Sequence, residues 1–217
     1  MDKIISTLSL LISRTDEDAM WEVKTHDDHR EFARLVKRWE EPIRRLCARM
    51  SGDAHRAEDL KQEIFARLYD RRKDYQPTGR FSTYLWRIAL NFCYDDLRRT
   101  KRRQALAPEG EAAEIEERPA EAATPDWHAA SREEGELVRR ALQQLPETYR
   151  AVIVLRHYEN LKLSKIAEIL DIPEGTVNSR MAEALARLSH LLEPALAGKS
   201  ALVPRPPPSK SREVFIV

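Results

Sequence analysis

The spacing of apolar residues constrains this chain more than any other feature of its sequence. From residue 28 to 103, and again from 131 to 193, apolar side chains recur three and four positions apart, as on one face of an amphipathic helix. β-Branched clusters occur only at 152–154 and 214–217, and the first of these lies inside a helical pattern. The sequence therefore predicts an all-α fold.

The composition changes between the two helical stretches. Residues 104–130 contain three prolines and six glutamates against a single arginine, Arg118, which is typical of an acidic linker that is disordered in the free chain. A chain of 217 residues is long enough for two small domains. We therefore predict an N-terminal extension at 1–25, helical domains at 26–103 and 131–193, a flexible linker at 104–130 and a Pro-rich tail at 194–217.

Several classes of site and location are not indicated. Cys47 and Cys93 have no metal-binding spacing, and there is no Gly-rich phosphate loop or H-E-x-x-H motif, so we predict no metal and no cofactor. The apolar run at 4–12 is too short to span a bilayer. We therefore expect a cytoplasmic protein without membrane insertion. The net charge of +1 conceals basic and acidic residues that lie in separate blocks.

Residues 163–190 carry the pattern of two short helices joined by a tight turn. Asp171-Ile172-Pro173 would form the turn, and the small side chain of Ala167 would let the two helices cross closely. This arrangement is typical of a helix-turn-helix, in which the second helix lies in the DNA major groove. An ordinary helical hairpin is the alternative for this segment alone.

Residues 80–103 combine positive charge with aromatic rings. Basic side chains neutralise phosphates, and aromatic faces stack on unpaired bases, so the mixture suits single-stranded DNA. The alternative is a core helix with a solvated basic end, and we assign Phe92 to the core. The basic residues are Arg80, Arg87, Arg98, Arg99, Lys101, Arg102 and Arg103, and the aromatic residues are Phe81, Tyr84, Trp86, Phe92 and Tyr94.

A third feature is the polar helix face formed by Asp59, Gln62 and Glu63, which alone would indicate only a solvated surface. In this order, the three features resemble the sigma-70 family, and within it the extracytoplasmic-function group. The motifs that carry the resemblance are A-E-D-L-K-Q-E-I-F-A-R-L-Y at 57–69, F-S-T-Y-L-W-R-I-A-L-N at 81–91, L-P-E-T-Y-R-A-V-I-V-L-R at 145–156 and I-A-E-I-L-D-I-P-E-G-T-V-N-S-R at 166–180. The resemblance covers about residues 30–103 and 136–192.

The resemblance implies a sigma factor, which binds core RNA polymerase and directs promoter-specific initiation by −10 and −35 recognition and promoter melting, without catalysis of its own. It implies that Asp59, Gln62 and Glu63 dock on the clamp helices of the largest polymerase subunit, with the polymerase flap as a further contact. Promoter DNA is the second implied partner, and an anti-sigma factor is a third candidate.

The resemblance also assigns DNA-reading roles. It implies −10 reading and melting by Phe81, Thr83, Tyr84, Arg87 and Asn91, with Asn91 near a flipped base. Around them, Arg80, Trp86, Arg98, Arg99, Lys101 and Arg102 have the chemistry to contact the same DNA. The implied −35 residues lie on the second helix of the helix-turn-helix: Thr176, Val177, Asn178, Ser179, Arg180, Glu183 and Arg187. Members of the group often carry basic residues where this chain has Asn178 and Glu183, which bears on −35 affinity.

Two other functions fit parts of the pattern. A DNA-binding regulator could share the helix-turn-helix but would have no use for the face of Asp59, Gln62 and Glu63. A carboxylate-dependent nuclease could use Asp59, Glu63, Asp95 and Asp96, although these acids lie among arginines and lysines with no nearby histidine.

Overall fold

A computed structural model describes residues 15–106 and 127–200, with side chains placed at 15–106 and 134–194. Every regular element in these two ranges is helical, which confirms the all-α prediction. Most of the predicted linker and tail lies outside the described residues. The helices are α1 (Asp16–His26), α2 (His29–Ser51), α3 (Ala54–Asp70), α4 (Phe81–Leu106), α5 (Trp127–Gln144), α6 (Glu147–Ile153), α7 (Leu163–Leu170) and α8 (Glu174–Ser200), with a 3-10 turn at Arg72–Asp74 and a π-helical turn at Val154–Tyr158.

Gly52 and Asp53 set the helix boundaries at the turn between α2 and α3. The side chain of Asp53 accepts hydrogen bonds from the backbone N–H groups of His55 (2.7 Å) and Arg56 (3.0 Å), so it caps α3 as its sequence position predicts. Gly52, at a φ of 80°, ends α2 and donates its N–H to the Ala48 carbonyl. A left-handed residue at this position favours glycine, because glycine has no Cβ to clash.

Pro42 does not start a new helix. From its place in the helical segment 31–50, the proline predicts an interruption and a new helix that starts at residue 42, whereas α2 runs continuously from His29 to Ser51. Proline has no N–H, so the helix lacks one hydrogen bond there. Leu35 before the proline and Ile43, Leu46 and Met50 after it are all buried against the same core, and this shared burial favours one unbroken helix.

Helix α1 is packed into the first half of the molecule. Ala19, Met20 and Val23 are fully buried. Glu17 accepts a 2.7 Å hydrogen bond from the backbone N–H of Phe81, the first residue of α4. Residues 16–25 of the predicted N-terminal extension therefore lie in a helix that contacts the start of α4.

The two helical stretches share one apolar core. The buried residues of α1–α4 form a cluster that continues into Val152 of α6, Ile166 and Ile169 of α7 and Val177 of α8. A smaller cluster, which includes Leu142 and Ala184, joins α5 to α8. Within residues 15–106 and 127–200, no helix has the length and hydrophobicity that spanning a bilayer requires.

Candidate functional site

Helix α4 presents a polar face over most of its length. Leu85, Ala89 and Cys93 are buried and fix the orientation of the helix. On its outer side, Arg87 and Asn91 are exposed. The exposed basic residues Arg98, Arg99, Lys101 and Arg102 follow on the last turns. An exposed amide followed by exposed cations can contact base edges and phosphates along one DNA segment.

Phe81 and Trp86 lie in the core, which contradicts their prediction as DNA contacts. Their side chains are 0% and 3% exposed, and both rings pack edge-on against Trp39. A ring without a free face cannot stack on a base. The sequence carried a signal for Phe81, which precedes the inward-facing Leu85 and Ala89 by four and eight positions.

Tyr84 is half-buried, so part of its side chain is accessible for the predicted contact with DNA. Its ring centroid lies 5.4 Å from that of Tyr75. A tyrosine hydroxyl is neutral at physiological pH and can donate a hydrogen bond, and burial raises the pKa of Tyr84 further above that range. Thr83 and Arg80 complete the predicted set at this end of α4, where Thr83 is half-buried and Arg80 is exposed.

The acidic face of α3 is organised by Arg56, a residue that is not among the predicted site residues. Asp59 and Gln62 are exposed and Glu63 is partly so. Nη1 of Arg56 lies 3.1 Å from Glu63 and 3.6 Å from Asp59, while Nη2 lies 2.7 Å from Asp96 on α4. The hydrogen bond to Asp96, followed by attraction to Asp96 and Glu63, raises the pKa of Arg56. Positions 56, 59 and 63 share one helix face, which was the available signal.

This arrangement bears on the nuclease alternative. Asp59, Glu63 and Asp96 surround a guanidinium, and the fourth carboxylate, Asp95, pairs with Arg98 instead. In the part of the chain that the structure describes, no group of three or more His, Cys, Asp or Glu is placed to hold a metal ion. The four acids therefore do not form a single cluster, because an arginine occupies the space between three of them.

Helices α7 and α8 have helix-turn-helix geometry. Asp171 adopts a φ of 55° and ends α7, and its backbone N–H donates to the Ala167 carbonyl. The Pro173 carbonyl then accepts from the N–H groups of Thr176 (2.9 Å) and Val177 (3.2 Å) to start α8. The two helices are therefore joined by the three-residue turn, 171–173, that the sequence predicts.

The first turns of α8 divide into a supporting and an exposed face. Val177 is fully buried, so it supports the helix and cannot contact DNA as predicted. Arg187 donates a 2.7 Å hydrogen bond to Glu183, and this solvent-exposed ion pair offsets part of the positive field of Arg187. The remaining predicted residues are Asn178 and Ser179, which are exposed, and Thr176 and Arg180, which are half-buried.

Comparison with known proteins gives matches in both halves of the chain. The family profile for Sigma-70 region 2 matches residues 35–103, and the profile for Sigma-70, region 4 matches residues 135–188. The chain is 36% identical over 158 residues to the ECF RNA polymerase sigma factor SigW of Bacillus subtilis, a match covering 71% of this chain and 84% of SigW. It is 31% identical over 175 residues to the ECF RNA polymerase sigma-E factor of Escherichia coli, covering 78% of this chain and 90% of that protein.

Solved structures share the fold. The structure of CnrH in complex with the cytosolic domain of CnrY aligns with a TM-score of 0.60 and 24% identity, covering 82% of this chain and 97% of CnrH. The sigma factor RpoE of Bartonella quintana, solved with the anti-sigma factor NepR, aligns with a TM-score of 0.57 and 22% identity, covering 75% of this chain and 97% of RpoE.

Proposed function

Because this chain belongs to the sigma-70 family, as an RNA polymerase sigma factor of the extracytoplasmic-function group, we propose that α3 docks on polymerase while α4 and α8 read the promoter. The chain binds RNA polymerase and directs promoter-specific transcription initiation. Below, region 2 denotes residues 35–103 and region 4 residues 135–188. The observation that supports this division most directly is α4, which presents the exposed amide of Asn91 and then an exposed basic end.

The docking surface is the face of Asp59, Gln62 and Glu63. These side chains lie opposite the buried stripe of Leu60, Ile64 and Leu68, so they are free to contact another protein. The negative charges of Asp59 and Glu63, with the amide of Gln62 between them, suit a basic and polar surface on the clamp helices of the largest polymerase subunit. Arg56 forms ion pairs with Asp59 and Glu63 on this face. These ion pairs limit the movement of the two carboxylates before polymerase binds.

We expect Asp59→Ala combined with Glu63→Ala to weaken binding to core RNA polymerase by about 10-fold or more. Both side chains form only exposed ion pairs with Arg56, so the free energy of unfolding should fall by less than about 1 kcal/mol. Fluorescence anisotropy of the labelled full chain with core polymerase measures the affinity, and urea unfolding measures the stability.

The matched control removes two exposed acids elsewhere, Glu40→Ala and Glu193→Ala, and should retain wild-type affinity. An unchanged affinity in the Asp59 and Glu63 variant would exclude this face as the docking surface. A loss of the same size in both variants would attribute the effect to net charge.

The −10 surface is proposed to consist of Arg80, Thr83, Tyr84, Arg87 and Asn91, followed by the basic end of α4. Positions 84, 87 and 91 share one helix face, as their spacing requires. Asn91 offers both a donor and an acceptor to a base edge, whereas the basic end offers only charge to phosphates. The two groups should therefore affect promoter use in different ways.

We expect Asn91→Ala to relax base preference in the −10 element by about 1–3 kcal/mol at one position, without changing affinity for core polymerase. Arg98→Ala with Arg99→Ala should instead weaken binding to all promoters alike. The slope of log affinity against log salt concentration should become shallower by about 1–2. Transcription from a library of −10 sequences, with permanganate footprinting of melted bases, separates the two effects.

The controls are Gln104→Ala, which removes an exposed amide from the same helix, and Arg30→Ala with Arg67→Ala, which removes two exposed cations from other helices. If Asn91→Ala keeps the wild-type base preference, our assignment of Asn91 to base reading is wrong. If the variant of Arg98 and Arg99 changes base preference while its affinity stays constant, our assignment of these arginines to phosphate contacts is wrong.

The −35 surface is proposed to be the exposed side of α8, with Thr176, Asn178, Ser179, Arg180, Glu183 and Arg187. Polar uncharged side chains outnumber the available cations there, so we propose that direct hydrogen bonds contribute more to −35 binding than charge does. We further propose that the chain acts in the cytoplasm, with polymerase, and that it catalyses no reaction itself. An anti-sigma factor stays a prediction.

A further inference from the structure

Helix α1 carries a large aromatic ring on the surface of the protein. The side chain of Trp21 is 44% exposed, whereas Ala19, Met20 and Val23 on the neighbouring side of the same helix are fully buried. A single exposed apolar residue is common on protein surfaces and indicates nothing by itself. What distinguishes Trp21 is its position beside the start of α4.

Two hydrogen bonds fix the side of α1 on which Trp21 lies. Glu17 accepts from the backbone N–H of Phe81 (2.7 Å), and Nζ of Lys24 donates to the Tyr75 carbonyl (2.6 Å). Positions 17, 21 and 24 are four and three apart, so their side chains share one side of the helix. Trp21 therefore lies between two contacts that join α1 to the segment leading into α4.

Tyr75 connects this side of α1 to the proposed −10 surface. Its side chain is 1% exposed, and its ring centroid lies 5.4 Å from that of Tyr84 and 6.2 Å from that of Phe81. Its carbonyl is held by Lys24, whose ammonium also lies 5.4 Å from the Trp21 ring centroid. A continuous series of contacts therefore runs from Trp21 through Tyr75 to Tyr84, which is proposed to contact promoter DNA.

Cations surround the exposed ring. Lys24 lies over the Trp21 ring, and Lys73 donates to the Lys24 carbonyl (2.8 Å), which places a second ammonium nearby. Asp27 lies 3.2 Å from Lys73 and offsets part of this charge, while Arg80, the residue before α4, is exposed. Positive charges attract phosphates and an exposed ring offers a face to a base, which is the combination that single-stranded DNA sites use.

The proposed −10 surface needs an aromatic face that the predicted rings do not supply. Phe81 and Trp86 are buried in the core, and Tyr84 is half-buried. Opening a duplex removes base stacking, and an aromatic side chain can replace part of what an unpaired base loses. The exposed indole of Trp21, next to the segment that leads to Tyr84, has the chemistry and the position for this role.

We propose that Trp21 is a further DNA-binding residue, which stacks on one unpaired base of the melted promoter beside the bases that α4 contacts. Lys24 and Arg80 lie on either side of this stack and attract the phosphates of the same strand. Helix α1 then contributes to the promoter-binding surface together with α4. This inference rests on the proposed −10 role of α4, and the experiment below separates the two.

The test measures binding of the full chain, in complex with core polymerase, to a promoter bubble that is unpaired from the −10 element onward. Bases of either strand are removed one at a time as abasic sites, so that a stacking partner is lost while the strand stays intact. Trp21→Leu keeps an apolar side chain but removes the ring, and Trp21→Phe keeps a ring. The control Tyr158→Leu removes a ring that is 37% exposed in region 4. Urea unfolding and anisotropy with core polymerase check that each variant folds and docks.

We expect one abasic site near the −10 element to weaken binding by about 5-fold or more in the wild type, in Trp21→Phe and in Tyr158→Leu. The same abasic site should have no effect on Trp21→Leu, because the ring that stacks on this base is already absent. On the intact bubble, Trp21→Leu should bind about 5-fold or more weakly than the wild type. A Trp21→Leu protein that is as sensitive as the wild type to every abasic site would overturn the inference.

Asn91→Ala in the same series separates this inference from the proposed role of α4. If Asn91→Ala becomes insensitive to loss of one −10 base while Trp21→Leu stays sensitive at every position, the inference is wrong and the role of α4 stands. If neither variant changes the response to any abasic site, the proposed −10 surface is wrong as well. If Trp21→Leu weakens binding to every template equally, its effect is structural, which also overturns the inference.

Discussion

Replacing Arg56 with methionine should lower the free energy of unfolding by about 3 kcal/mol at neutral pH. Methionine retains much of the apolar length of the side chain but leaves Asp96, which is 9% exposed, without the cation that lies 2.7 Å away. A buried carboxylate without a partner is costly, since it loses water and gains nothing in return. Urea unfolding followed by circular dichroism measures the change.

Two further variants give this prediction its control. Arg67→Met makes the same replacement at an exposed position on the same helix and should change stability by less than about 0.5 kcal/mol. Adding Asp96→Asn to Arg56→Met should restore part of the loss, because an amide is easier to bury than a carboxylate. An Arg56→Met protein as stable as the wild type would show that Asp96 finds another partner.

Arg150→Met should be destabilising by about 3 kcal/mol as well, for a different reason. Arg150 is 6% exposed and donates four hydrogen bonds, which reach the Met50, Gln143 and Leu145 carbonyls and the Gln143 side chain. Burial lowers the pKa of its guanidinium, but arginine stays charged at neutral pH. The variant leaves two buried carbonyls, those of Met50 and Leu145, without this donor, as well as the partly buried carbonyl of Gln143. Each unsatisfied buried carbonyl costs about 1–3 kcal/mol, and repacking recovers part of this.

The comparison for Arg150 is Arg140→Met, an exposed arginine on α5 that should have little effect on urea unfolding. Arg150→Lys should recover little, because a single ammonium cannot reproduce the fork of N–H groups that bonds acceptors on two sides. Full stability in Arg150→Lys would mean that charge, and not the geometry of the fork, is what this position requires.

Local patterns predicted the helices and the helix-turn-helix well. The turn at Asp171–Pro173, the cap at Asp53 and the inward faces of α3 and α4 all depend on residues within a few positions of each other. The break expected at Pro42 was wrong because burial on both sides of the proline, a property of the whole fold, favours the continuous helix.

The contacts between the regions could not be predicted in the same way. Arg150 and Met50 are 100 positions apart, and the acceptor is a backbone carbonyl, which every residue has and no sequence pattern marks. Phe81 and Trp86 show a related difficulty, since the same ring chemistry serves base stacking and core packing. The spacing from Leu85 and Ala89 indicates an inward position for Phe81, but for Trp86 it is the burial of the ring against Trp39 that shows its role in the core.

Helix α1 affects where a fragment that contains region 2 should begin. The Sigma-70 region 2 profile begins at residue 35, after α1 has ended. Yet Glu17 bonds the first N–H of α4, and Asp16 accepts a 3.0 Å hydrogen bond from the indole of Trp39, the ring that packs against Phe81 and Trp86. A fragment that begins at the profile boundary would expose this aromatic cluster to water and leave the start of α4 frayed. The segment that the family profile matches is therefore smaller than the set of helices that pack together at this end of the fold.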